Sequence, residues 1–171
     1  MHIILLYTRH GSLKIKPKKI EDALGLNASG DLFPKKVIFK EFSEENKEIF
    51  RRFQEKTLKN LTDQMMGIGV DNNQDRIMFK RIFIIYIQMA FLLPTTINKV
   101  SPVHLASIFR MDNITECKWG SHVLNFIIKG ITNYRLKKKK MIDGCLYALM
   151  IVYFHLTKHT DKKGEAISGL S

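Results

Sequence analysis

Apolar residues recur along this chain with two periods, and the change from one to the other divides it. Residues 3–16 alternate loosely, with Ile3-Ile-Leu-Leu-Tyr7 and Ser12-Leu-Lys-Ile-Lys16 on either side of Gly11. Two β-prone runs around a glycine-containing turn predict a small hairpin. A hairpin alone is marginal in water, so it must lean on helices. From Pro17 the spacing becomes helical. Pro17 suits a first helical turn, Ile20, Ala23 and Leu24 share a face, and Gly25 supplies the stop. Asn27–Gly30 reads as a turn, and Phe33–Phe39 as an extended connector, because Pro34 disfavours helix at the preceding residue.

Ser43 is a candidate N-cap, with Glu44, Glu45 and Glu48 in the first turn. Ile49, Phe50, Phe53, Leu58, Leu61 and Met65 predict one long amphipathic helix, ended by Gly67 and Gly69. Asp71–Asp75 can cap the next helix, which should run from about Arg76 to Leu93 and close at Pro94. Ser101-Pro102 opens a short helix, and Asp112–Lys118 reads as a loop or single turn. Trp119, Val123, Phe126, Ile127, Ile131 and Tyr134 line one stripe of the following helix. After a basic run, Gly144–His155 is apolar nearly all round. A helix without a polar face is expected inside a bundle or in lipid. The implied fold is mainly α: a single-domain irregular helical bundle over residues 1–158, with a small N-terminal β-hairpin, then a polar tail over 159–171. Its expected core is Phe50, Phe53, Leu61, Phe79, Phe83, Tyr86, Leu92, Trp119, Phe126, Ile127, Leu146 and Met150.

Charge changes the picture more than composition does. The net charge is +12, with +5 in residues 1–40, +1 in 41–128 and +7 in 129–163. Two basic blocks flanking a neutral middle suit an acidic partner, nucleic acid or an anionic membrane surface, and equally a purely solvated face. The apolar runs Ile82–Leu93 and Cys145–Leu156 are twelve residues each. A membrane span needs about 20, so core helices are expected and no membrane is invoked. Two cysteines without framework spacing suggest a reducing compartment, nuclear or cytoplasmic.

Candidate chemistry is sparse. His155 and His159 stand i, i+4 on a helix, but Leu156 occupies the position where a hydrolytic zinc motif needs Glu. No metal site and no cofactor are expected. Cys117, near Lys118 and His122, is a better candidate nucleophile than Cys145, and both are poor ones. No carboxylate pair lies in an apolar segment, and Gly67-Ile-Gly69 lacks the preceding strand of a phosphate loop. No catalytic residue and no small-molecule substrate follow. What remains is the basic run Arg135, Lys137, Lys138, Lys139 and Lys140, readable as a solvated loop, a nuclear-import signal or a phosphate contact. Tyr134 is the only aromatic beside it, which argues against single-strand stacking.

The order of motifs resembles a domain common in plant mobile-element-encoded proteins. The resemblance is carried by Gly11-Ser-Leu-Lys-Ile-Lys-Pro17, Ile20–Leu26 and Gly30, Phe91-Leu-Leu-Pro-Thr-Thr96, Asp112-Asn-Ile114 with Trp119, Val123-Leu124 and Ile127, and Gly144-Cys-Leu-Tyr-Ala-Leu-Met-Ile-Val-Tyr-Phe154. It implies a helical accessory or protein-interaction domain, in some members upstream of a cysteine peptidase domain similar to SUMO-specific proteases. No residue here matches that peptidase's triad. The resemblance carries the expectation that the chain is part of a longer product. A nuclear nucleic-acid-binding module is the alternative, using the basic run together with Lys14, Lys16, Lys18 and Lys19.

Overall fold

The computed structural model describes residues 3–9, 11–26, 30–33 and 37–155. The polar tail expected over 159–171, His159, and most of the Asn27–Gly30 turn lie outside the described residues. The fold is mainly α with a small antiparallel hairpin, as the periodicity predicts. Strand β1 (Ile4–Thr8) pairs with β2 (Gly11–Ile15), with Leu6 opposite Leu13 and Ile4 opposite Ile15. Ile15 is fully buried and anchors the hairpin to the helices. Helix α1 (Pro17–Leu24) starts at the predicted proline. It stops at Gly25, whose φ of 65° is a left-handed cap that glycine adopts without strain.

The single long helix expected over Ile49–Met65 is two helices. Helix α2 (Glu44–Phe53) begins at Ser43, whose hydroxyl accepts from the Asn46 N–H. Helix α3 (Leu58–Gly67) begins afresh at Thr57, with a reciprocal cap between Thr57 and Asn60. Between them Glu55 has a φ of 62°. Its N–H donates to the Val100 carbonyl, and the Val100 N–H donates to the Lys56 carbonyl. A distant strand-like contact thus satisfies the backbone at the break. Both halves keep the apolar stripe, so their period alone could not show the gap.

Helix α4 (Asn73–Ile87), capped by Asn72, widens into a π turn over Gln88–Leu92. The Leu93 N–H closes that turn on the Gln88 carbonyl. Helix α5 (Pro102–Leu105) follows Ser101 as predicted. A run of 3-10 turns, Ile108–Glu116, kinked at Arg110 and Asn113, takes in Ile108 and Phe109, expected in that short helix, and most of Asp112–Lys118, expected as a loop or single turn. Helix α6 (Trp119–Arg135) packs across α1, and the last described helix, α7, spans residues 146–155.

The apolar core forms two clusters. One joins Ile15 and Ile20 to Val123, Leu124 and Ile127 of α6 and to Cys145, Ala148 and Val152 at α7. The other joins Ile49, Phe53 and Leu61 to Ile82, Ile85, Leu105 and Ile108. Helix α4 serves both, giving Ile82, Ile85 and Met89 to the second cluster and Leu92 and Leu93 to the first. Close approach between α6 and the chain leading into α7 depends on Gly130. A Cβ there would sit 1.9 Å from the Asp143 carbonyl oxygen, and backbone cannot step aside as a flexible side chain can.

Candidate functional site

The predicted site residues are placed by the end of α6. Arg135 is its last residue, and Lys137 adopts a φ of 55°, turning the chain out of the helix. The Lys137 N–H donates to the Tyr134 carbonyl and the Lys138 N–H to that of Asn133, so the helix end is closed by backbone bonds. Cations here also face the negative end of the helix dipole. Arg135, Lys137, Lys138 and Lys140 are exposed. Lys139 is not part of the same display. Its ammonium is bonded to the Asp143 carboxylate, whose other oxygen accepts from the Thr96 N–H at 2.8 Å. Burial would raise the Asp143 pKa, but Lys139 and Thr96 outweigh it and hold the carboxyl below its usual range. One of the five predicted residues is therefore a structural clasp over the entry to α7.

The candidate thiols are not brought to any base. Cys117 and Cys145 are both buried, and burial pushes both thiols above their ordinary pKa. The Cys117 thiol donates to the Asn113 carbonyl. His122 packs against the Phe33 ring at 4.5 Å, with Trp119 beside it. Burial lowers the His122 pKa to about 4, with the nearby His104 adding to the effect, so the ring is neutral at pH 7. Among the described residues no group of three or more His, Cys, Asp or Glu could hold a metal ion. Among them, too, no helix is long and apolar enough to cross a membrane.

The interior polar groups form a junction between the π turn and α5. The Gln88 amide nitrogen donates to Ser107 Oγ at 2.6 Å and to the His104 carbonyl at 3.1 Å. His104 Nε2 lies 2.9 Å from the Leu93 carbonyl, and its Nδ1 accepts from the Ser101 N–H at 3.1 Å. With one nitrogen facing an acceptor and the other a donor, the ring fits its neutral Nε2–H form. Burial depresses its pKa, partly offset by the Leu93 bond. All three side chains are buried, and they lock α4 to α5.

The feature that the periodicity misplaces is α7. Its inward stripe, Cys145, Ala148, Leu149 and Val152, follows the i, i+3, i+4, i+7 spacing and enters the first cluster. Its outward residues are as apolar. Leu146 is 44% exposed, Tyr147 50% and Met150 47%, and Phe91 at the end of the π turn is 40% exposed. The Phe91 and Tyr147 rings meet at 5.6 Å, so the two helices share one face. Phe154 continues the stripe one turn beyond Met150 and is also exposed. Leu146, Met150 and Phe83, expected in the core, are thus at the surface. Phe83 stands on α4, stacked on Phe79. For Leu146 and Met150 the physical reason is that α7 is the last layer described. Its neighbours cover one side of it, and an apolar helix in a bundle of this size needs two. The sequence did carry the signal, since a twelve-residue run too short for a membrane and apolar on every side has to be covered by something.

No curated protein and no solved structure matches the chain. A family profile does match it over residues 3–150, from the hairpin through Met150, and so takes in the second core cluster, all of the first but Val152, and most of the exposed face. The chain belongs to that family, a domain of unknown function (DUF8566).

Proposed function

We propose that the chain is a non-catalytic helical interaction module that binds another protein through the face formed by Phe91, Leu146, Tyr147 and Met150. The single observation that carries this is an apolar helix with its outer half in water. Exposed apolar patches of this extent mark interaction sites more often than chance surface. The buried, protonated thiols support a non-catalytic role. The order of motifs resembling plant mobile-element proteins supports an accessory role within such a product.

A photoreactive phenylalanine analogue placed at Tyr147, with Lys59 on α3 as control, tests this in cell extract. Docking through the face requires discrete adducts from position 147 that excess wild-type chain competes away and Met150→Asp chain does not. Equal adducts from both positions would overturn it.

The exposure of Arg135, Lys137, Lys138 and Lys140 favours a second role, electrostatic contact with nucleic acid or recognition as an import signal. Lys14 and Lys16 of the first basic block are also exposed, whereas Lys18 is paired with Asp22 at 3.0 Å. A gel shift at two salt concentrations decides the nucleic-acid part. Binding should weaken steeply with salt and fall when Lys137, Lys138 and Lys140 become Gln. Retention unchanged by either treatment sinks it.

A further inference from the structure

We infer, resting on that docking role, that the occupant of the face is an acidic amphipathic helix of another protein. The first ground is charge. From Arg76 to Met111 the chain contains no Asp or Glu. From Cys117 to His155 it carries seven Lys and Arg against one carboxylate, Asp143, which is buried on Lys139. Those two stretches supply every residue of the face. The Lys139–Asp143 bond ties the basic loop to the residue three before Leu146, with Lys138 and Lys140 exposed on either side of Lys139. An apolar centre with a cationic edge is complementary to a helix that alternates an apolar stripe with carboxylates.

The second ground is size. Four side chains of about 200 Å² each, close to half exposed, leave roughly 400 Å² of apolar surface. That is the apolar centre of an interface of about 800 Å² per partner, with the rim left to polar and charged groups. A second copy of this chain fits less well. It would bring the same cations against their own kind, at +12 on each molecule. A bilayer also fits less well. An in-plane anchor sinks a whole apolar helix face into the acyl boundary, and α7 keeps Ala148 and Val152 locked in the core.

Fluorescence polarisation of three labelled helical peptides against the intact chain tests the inference. All carry one Leu stripe, with Glu, Gln or Lys at the intervening positions. The Glu peptide should bind at least tenfold more tightly than the Lys peptide, and the difference should shrink at high salt. Lys137, Lys138 and Lys140 changed together to Gln should narrow it several-fold. Met150→Asp and the milder Tyr147→Ser should each abolish binding while leaving the thermal unfolding curve in place. Equal binding of Glu and Gln peptides overturns the charge inference and leaves docking through the face intact. Two further outcomes overturn it outright: binding of 30% phosphatidylserine vesicles but of no peptide, or a dimer in sedimentation that Met150→Asp disperses. Absence of binding to any peptide also overturns it, and the crosslink from position 147 then decides separately whether the face docks a protein at all.

Discussion

The junction around Gln88 and the face around Met150 both reverse the usual placement of polar and apolar side chains. They differ in where the compensation lies. Gln88, His104 and Ser107 are buried, but each finds hydrogen-bond partners in its neighbours or in backbone carbonyls. Their burial is answered inside the molecule, and it fixes how α4 meets α5. Leu146, Tyr147 and Met150 are held in water by a helix whose inner stripe already fills the core. Nothing among the described residues answers that exposure. A polar group inside that is bonded to its neighbours, as the Gln88 amide nitrogen is while its Oε1 has no partner among the described residues, is architecture, while an apolar group outside that remains uncovered points to another molecule. Four perturbations test the division, and the first three concern polar groups turned inward, two of them hydrogen-bonded there and the other, His122, packed on rings with its Nε2 unpaired among the described residues.

The largest effect is expected at His122. Its pKa falls from 6.5 in the unfolded chain to about 4 in the fold because burial disfavours the cation. A depressed folded pKa means that the unfolded state binds the proton first as pH falls. The stabilisation is therefore complete above pH 6.5 and is lost progressively as pH drops toward 4. That loss amounts to about 3 kcal/mol. Urea unfolding at intervals from pH 7.5 to 4 should show this slope, and His122→Gln should flatten it. A slope unchanged in the variant would mean that the ring is hydrated and does not belong to the interior set.

Gln88→Ala comes next. It removes the donor shared by Ser107 and the His104 carbonyl and leaves a hole at the π turn, at a cost of about 2 kcal/mol. Thermal unfolding measures it. A loss below about 0.5 kcal/mol, the ordinary range of surface substitutions, would place the junction in the same class as the exterior.

Much of this architecture is legible in the chain. Pro17 and Gly25 bracket α1, Ser43 caps α2, and Ser101-Pro102 opens α5, because these residues act through local backbone geometry. The break between α2 and α3 is not legible, since its backbone partners sit at Val100, more than forty residues away. The role of Lys139 is hidden for a different reason, since its partner Asp143 lies only four residues on. Within the run Lys137–Lys140 the four side chains are chemically identical, and only the fold places Asp143 beside one of them. The site itself was half visible. The all-apolar character of residues 146–155 announces that the helix must be covered, whereas which half the bundle covers depends on its position in the last layer.

Lys139 and Lys138 separate the two halves of the basic run. Lys139→Met leaves the Asp143 carboxylate buried against Thr96 without its cation, and should cost about 1 kcal/mol after allowance for the partial exposure of the lysine. The depressed Asp143 pKa sets the sign of the pH dependence. The contribution of the pair is present at neutral pH and disappears as the carboxyl protonates below its ordinary range. The deficit of the variant should therefore shrink in acid. Lys138→Met, at an exposed position without that partner, should unfold with the wild type. Equal losses from both would return Lys139 to the solvated display.

The smallest effect is expected at Met150, and it is the most informative of the four. Aspartate in a helix that serves the core would be ruinous, because a buried unpaired charge costs several kcal/mol. With about half of Met150 already in water, the substituted carboxylate stays hydrated and nothing inside is left unpaired. Met150→Asp should therefore shift the unfolding free energy by no more than about 0.5 kcal/mol, the scale of surface substitutions. Val152→Asp, two residues along on the buried stripe, should prevent folding. That contrast within one helix is what the comparison rests on. If Met150→Asp unfolds the chain as Val152→Asp does, the outer stripe belongs to an interior completed by this same polypeptide, and the case for an external partner ends there. If it does not, natural apolar residues hold a position where aspartate is harmless to the fold, and the chemistry they offer is directed at a surface other than the chain's own.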